Sequence, residues 1–348
     1  MSVEKTPQGR WRVRWREPGE PNPRSRTFTL KKEAVAFEHQ ILTDLARGTY
    51  TPPKRTTLTV AQMADQWLDS ARNLRPESLA TYRRDLDRYI LPVLGRRQLA
   101  ALRSDDVDRY LAGLTLAPSS VARHYRTIRR LCAVAVERGH LAKNPCDPVK
   151  PPRVDPDEMV FLTGPQVDML ADKIARRYRA WVYVAAWGGL RWSELAGLRP
   201  VSVDGPRVQV VEQLLRGPKG WYRQPPKTRA GRRTVTLPAH AAAELGVHMG
   251  RWSSEDLVFP NQHGNPIGPS FRGNVWARAV DKTGLVPRPR PHDLRHTAVA
   301  LAIAAGAHPK AIQARMGHAS IRVTMDRYGH LFPDADADVA AALDRLRG

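Results

Sequence analysis

Three separated segments in the second half of this 348-residue chain gather side chains suited to phosphate chemistry. The first is Gly188-Gly189-Leu190-Arg191-Trp192-Ser193-Glu194-Leu195. Its double glycine ends one helix and Ser193 helps start the next, which leaves Arg191 at a sharp turn where a guanidinium reaches out of the fold. The second, Pro225-Pro226-Lys227-Thr228-Arg229-Ala230-Gly231-Arg232-Arg233, reads as a hairpin tip with four basic side chains leading into a strand at Thr234. A lysine on such a tip enters a groove and reaches a phosphate; a solvated loop has the same composition. The third runs Pro291-His292-Asp293-Leu294-Arg295-His296, then Met316-Gly317-His318, then Tyr328-Gly329-His330. Pro291 suits a first helical turn, which sets His292 and Arg295 one turn apart on one face, near backbone N–H groups that favour an anion. Gly317 stops the helix Pro309–Met316 and leaves His318 in the turn that follows. Singly, each has an ordinary alternative: a surface arginine, a capping histidine, a core tyrosine.

The elements that must hold these residues are mostly helical from Met159 onward, with one strand-rich insert between Arg207 and Leu237. Ahead of them, Leu58 to about Gly139 reads as a helical bundle. Thr59 caps a helix through Ala71, Pro76 or Glu77 starts one to Pro92, Ser104 opens a third, and Pro118 opens the longest, through Arg138. That last helix lines up Val121, Tyr125, Ile128, Leu131 and Val134, with Arg123, Arg126, Arg129 and Arg130 largely off the stripe. The first fifty residues form a small α+β unit. Trp11, Val13 and Trp15 alternate with Arg10, Arg12, Arg14 and Arg16, a second strand runs Thr27–Leu30, and a helix runs Lys31–Arg47. Proline-rich stretches, Gly48–Thr57 and His140–Glu158, read as linkers. The expected division is therefore 1–50, 58–145 and 159–348.

Charge supports a polyanionic partner. Lys and Arg number 56 against 34 Asp and Glu, a formal +22, which drives counterion release from a phosphate backbone. No apolar run reaches the roughly 18 residues needed to span a bilayer, and no secretion signal is visible. Cys132 and Cys146 make neither a disulfide framework nor a zinc site. A reducing cytoplasm is the expected compartment.

Arg191, Lys227, His292-x-x-Arg295, His318 and Tyr328 follow the order and approximate spacing of the tyrosine recombinases, or phage integrase family, which the chain resembles from about Phe161 to Pro333. The two N-terminal units look like arm-type-site and core-type-site DNA-binding domains of lambda-like integrases. The resemblance implies a multidomain, mainly α protein: a small α+β domain, a helical core-binding domain, and a mostly α catalytic domain with a small antiparallel sheet. It implies that Tyr328 attacks a phosphodiester and that Arg191, Arg295 and His318 stabilise the phosphorane. His292 is the candidate base and Lys227 the acid for the departing 5′ oxygen, and Glu194 orients neighbouring basic groups. The product is a 3′-phosphotyrosine that stores bond energy, so no cofactor and no metal are expected. Expected partners are double-stranded DNA at attachment or recombination sites, a homo-tetramer on synapsed DNA, an excisionase and a host DNA-bending protein, with no membrane. Integration or excision of a phage or other mobile element is the expected role, on the bacterial nucleoid.

Rival readings remain at this stage. A metal hydrolase would use His292 and His296, four apart on a helix, but Arg295 beside a cation is repulsive. A type IB topoisomerase shares the covalent step, and an inactive DNA-binding regulator shares only the binding. The tail Asp334–Gly348, with Val339, Leu343 and Leu346 at helical spacing, docks either on a neighbouring protomer or on its own domain.

Overall fold

The computed structural model describes residues 2–16, 23–46, 57–155, 158–217 and 220–332. Arg47 at the end of the expected helix, residues 48–56 of the first linker, and the tail Asp334–Gly348 lie outside them. The chain divides into two compact units, Met1–Asp155 and Pro156–Gly348.

The first unit opens with an antiparallel sheet of β1 (Ser2–Lys5), β2 (Trp11–Trp15) and β3 (Arg24–Phe28), followed by α1 (Lys31–Ala46). The alternation in β2 is real: Val13 and Trp15 are buried against Ala34 and Ile41, while Arg10, Arg14 and Arg16 are exposed. β3 begins three residues before the expected Thr27, because Arg24-Ser25-Arg26 is too polar to signal a strand by itself. What places it is the pairing with β2, Trp11 opposite Phe28 and Trp15 opposite Arg24.

The helical part of this unit comprises α2 (Val60–Ser70), α3 (Pro76–Asp85), a π turn (Leu86–Ile90), α4 (Leu91–Leu94), α5 (Ser104–Ala112) and α6 (Pro118–Glu137). Thr59 caps α2 through a reciprocal box with Gln62. Ser104 is the first helical residue of α5 rather than its cap. The stripe on α6 is buried as expected, Tyr125 partly, but His124 and Thr127 are buried with it. Both cysteines are free and fully buried. Cys146 and Val149 pack into this bundle's core, so its packing continues beyond residue 145 into the proline-rich stretch.

The second unit is built around α8 (Arg179–Gly188), which is apolar on all sides and accordingly buried on all sides. Around it lie α7 (Gly164–Lys173), α10 (Ala239–Trp252) and α12 (Asp293–Ala304). α9 (Trp192–Gly197) follows the turn at Gly189. β4 (Val203–Asp204), β5 (Arg207–Val210) and β8 (Arg233–Thr236) form one antiparallel sheet, and β6 (Gln213–Gly217) with β7 (Gly220–Gln224) form a separate hairpin. Val208, Val210 and Val235 seat the three-stranded sheet on the α8 core. The segment 225–232 is therefore not a hairpin tip. It crosses from one sheet to the other, since β8 pairs with β5 and not with β7. α11 (Ala277–Thr283), α13 (Pro309–Met316) and α14 (Ile321–Tyr328) complete the unit. No helix among the described residues is long and apolar enough to cross a membrane.

Candidate active site

Two left-handed glycines shape the site. Gly189 ends α8 with φ +67°, a backbone conformation that strains any residue with a Cβ, and a Cβ there would also press on Met316 Sδ at 2.7 Å. Gly317 ends α13 with φ +62°, and a Cβ there would lie 2.8 Å from the carbonyl oxygen of Ala230. The first turn delivers Arg191, the second delivers His318, and the loop of Lys227 lies against the second.

Arg295 joins the two turns. One Nη donates to the carbonyl of Gly189 and the other to that of Met316 at 2.6 Å. Arg191 donates to the Gly317 carbonyl at 3.4 Å, so both guanidiniums are anchored on the same pair of turns. Burial, and then the field of Arg191, press the Arg295 guanidinium down to about 9, which still leaves it cationic at neutral pH. Cations packed this closely, and outnumbering the one carboxylate they touch, are the mark of an anion site. His318 sits in the same field: burial, followed by Arg295 and Arg191, lowers its imidazole to about 4. Its Nδ1 lies 2.9 Å from the buried Thr324 hydroxyl, which orients the ring.

Glu194 is a buried carboxylate at the foot of these turns, 2% exposed. It accepts from the Arg191 backbone N–H at 2.8 Å and from Arg191 Nη1 at 2.7 Å. Burial alone would raise its carboxyl, but the bonds from Arg233 and the charge of Arg191 outweigh it and hold it at about 2. Ser193, expected to start α9, instead bonds Gln213. Arg191 occupies the cap position and Glu194 satisfies its N–H.

Pro291 falls just outside α12, with His292 at the cap. His292 opens on a cavity of about 1050 Å³ that is also lined by Arg272, Arg290, Arg327, His296 and His330. Of the six predicted residues only His292 is on that lining. Enclosure, and then Arg295, lower its imidazole. Lys227 is exposed on its loop.

Tyr328 is the surprise. It is 2% exposed, packed with Ala298, Val299, Ile303, Ile312 and Met316, and its Oη lies 2.6 Å from His296 Nδ1. Burial raises the phenol above its ordinary value, against the pull of Arg295 and Arg327. Burial and then His292 lower His296 to about 4. The phenol therefore keeps its proton and the imidazole is neutral, the two held together by this hydrogen bond. His296, visible in the sequence only as the i+4 partner of His292, is thus a partner of the tyrosine. No group of three His, Cys, Asp or Glu suited to a metal occurs among the described residues.

The family model "Phage integrase family" matches residues 160–334, half of the chain. The chain belongs to the phage integrase family of tyrosine recombinases. The model "Phage integrase, N-terminal SAM-like domain" matches residues 65–139 of this integrase-family chain, over the helical bundle. Its curated relatives include "Putative prophage phiRv2 integrase" of Mycobacterium tuberculosis, 26% identical over 97% of this chain and 93% of that one. The "Integrase" of Mycobacterium phage L5 is 28% identical over 92% and 90%. Among solved structures, the Tn1549 transposon integrase in complex with a circular intermediate DNA superposes with TM-score 0.71 at 22% identity, covering 83% of this chain and 99% of that one. A lambda integrase dimer bound to a COC′ core site gives 0.61 at 15%, with 91% of each covered. The fold is that of the tyrosine recombinases, and the activity is site-specific recombination of the kind that serves mobile elements, not topoisomerase-like strand passage or inactive DNA binding.

Proposed function

We propose that this recombinase cleaves and rejoins double-stranded DNA with Tyr328 as nucleophile, at a phosphate held by Arg191, Arg295 and His318. The reading rests on one observation: three segments far apart in sequence meet at the Gly189 and Gly317 turns, where two guanidiniums and an imidazole crowd together. A pentacoordinate phosphorane carries the extra negative charge that this cluster lacks, so it binds more tightly than the ground-state diester. A seated phosphate also raises His318 back toward its ordinary basicity, so the ring donates to a non-bridging oxygen.

Tyr328 leaves its contact with His296 to attack. Its helix is lightly held, with Ile321, Val323 and Met325 of α14 between 40% and 43% exposed. His292, at the cavity wall, takes the phenolic proton as the Tyr328 O–P bond forms. The P–O5′ bond breaks, and Lys227 gives its proton to the departing oxygen. A 3′-phosphotyrosine results, and a hydroxyl from a second strand reverses the step. The basic cavity beside His292 tracks the adjoining backbone. In this reading residues 1–50 bind arm-type sites, 58–145 bind core-type sites and 159–348 carry catalysis. The chain acts as a homo-tetramer on synapsed DNA in the bacterial cytoplasm, with an excisionase and a host bending protein setting direction, to integrate or excise a phage or other element.

The test begins with a duplex selected from a randomised library and nicked beside the scissile phosphate, which traps the covalent product. Tyr328→Phe abolishes adducts and leaves the Kd nearly unchanged. It also leaves the buried His296 Nδ1 without its hydrogen-bond partner, at a cost of roughly 1–3 kcal/mol in stability. Adducts persisting in that variant would overturn the assignment.

A further inference from the structure

Arg233 reads in the sequence as one of four basic side chains on a solvated loop, yet its side chain is 5% exposed. Its guanidinium turns inward and forks onto Glu194, with Nη1 donating to Oε1 at 3.1 Å and Nη2 to Oε2 at 2.9 Å. Each of these oxygens also accepts from Arg191, so the carboxylate is shared between the two arginines. The rest of the fork is used as well. Nε donates to the carbonyl of Arg315 at 2.7 Å, and Nη1 to that of Gly231 at 3.0 Å. A Cβ on Gly317 would come within 3.2 Å of Arg233 Cδ and Nη1, so the side chain also walls the turn before His318.

We propose that Arg233 is a positioning residue for the phosphate site, acting through Glu194 on Arg191 and through two carbonyls on the segments that carry Lys227 and His318. It touches no reacting atom, and the inference rests on the reading that those three residues act on the scissile phosphate. Two physical effects make the residue necessary. Geometrically, one rigid planar group meets α9, the 225–232 loop and the end of α13, adding the loop to the two turns that Arg295 and Arg191 already join. Electrostatically, a buried Glu194 with only Arg191 as partner would cancel the charge meant for the phosphate. With Arg233 added, the group of three retains one net positive charge. Lysine supplies the charge but not the fork, since an ammonium cannot face both carboxylate oxygens and two carbonyls at once.

The experiment compares Arg233→Lys and the paired Glu194→Gln/Arg233→Gln change with the unmodified chain on the selected nicked duplex. It measures Kd, the adduct rate at saturating DNA, and the unfolding midpoint. For Arg233→Lys the adduct rate falls on the order of 10- to 100-fold at saturation, as for a misplacement of about an ångström, while Kd stays within about threefold. The paired change buries amides in place of ions, which keeps the chain folded if Arg233→Lys does not fold, and it is slow in the same way. Glu194→Gln combined with Arg233→Lys is no slower than the worse single change, because both act along one path. Wild-type adduct rates in either Arg233 variant, a loss confined to Kd, or losses that multiply would each overturn the proposal. If Tyr328→Phe is dead while Arg233→Lys is unimpaired, only this inference fails and the nucleophile assignment stands.

Discussion

Arg14 and Arg233 are the same residue in two environments. On β2, Arg14 is exposed and meets Glu4 at 3.3 Å, with side chains 52% and 44% exposed. In the second unit, Arg233 meets Glu194 at 2.9 Å, with side chains 5% and 2% exposed. Distance hardly separates them, but water does. An exposed pair is screened and contributes little to stability, so what Arg14 offers is long-range field and ready phosphate contact. A buried pair must satisfy every donor, and what it contributes is geometry. Exposed charge sets the field around the molecule; a buried pair sets the geometry of its neighbours.

This comparison can be broken at several points. The largest effect belongs to Arg295. Arg295→Lys loses one of the two carbonyl anchors at Gly189 and Met316 together with the forked face toward phosphate. Its adduct rate at saturating DNA should drop by about 10²–10³-fold. A variant within tenfold of the parent would mean that the buried cluster is structural.

Next comes acidity. His296 and His318 are held at about 4 in the fold, against about 6.5 in an unfolded chain. Between those values the unfolded chain binds more protons than the folded one. The stability tied to these neutral rings is intact above pH 6.5 and is lost as pH falls toward 4. Denaturant titrations should show a decrease on the order of 5 kcal/mol from pH 7 to pH 4.5 for the two rings together. A pH-independent midpoint over that interval would contradict the burial of both rings among cationic neighbours.

The smallest effect tests the surface side. Arg14→Gln should change stability by no more than about 0.5 kcal/mol. The slope of log affinity against log salt, measured on DNA carrying arm-type sites, should flatten by about 0.9, one phosphate contact. A large stability loss with no change in slope would place Arg14 with Arg233 after all.

Local signals were read with good fidelity. Thr59 caps α2, Gly189 and Gly317 end their helices, and β2 buries the face that its alternation predicts. These depend on backbone conformation and on a period of two or 3.6, both written within a few residues. The hairpin β6–β7 was not anticipated, because Gln213-Leu214-Leu215-Arg216 shows no clean alternation; register with Gln224 to Trp221 makes it a strand pair. The segment 225–232 looks like a hairpin tip from sequence because which strand β8 joins is a long-range matter.

The site divides along the same line. The identities of Arg191, Lys227, His292, Arg295, His318 and Tyr328 as residues suited to phosphodiester chemistry, and the excess of basic charge, were determined by the amino-acid sequence alone. That Arg233 turns inward onto Glu194, that Tyr328 is stored protonated against His296, and that His292 faces a separate basic cavity were decided only by tertiary structure. The reason is physical. A side chain's chemistry is local, but its protonation, its exposure and the partner it meets depend on groups more than a hundred residues away, as in the bond from Leu162 to Thr297, 135 residues apart, that seats α12. No short window of sequence contains that distance.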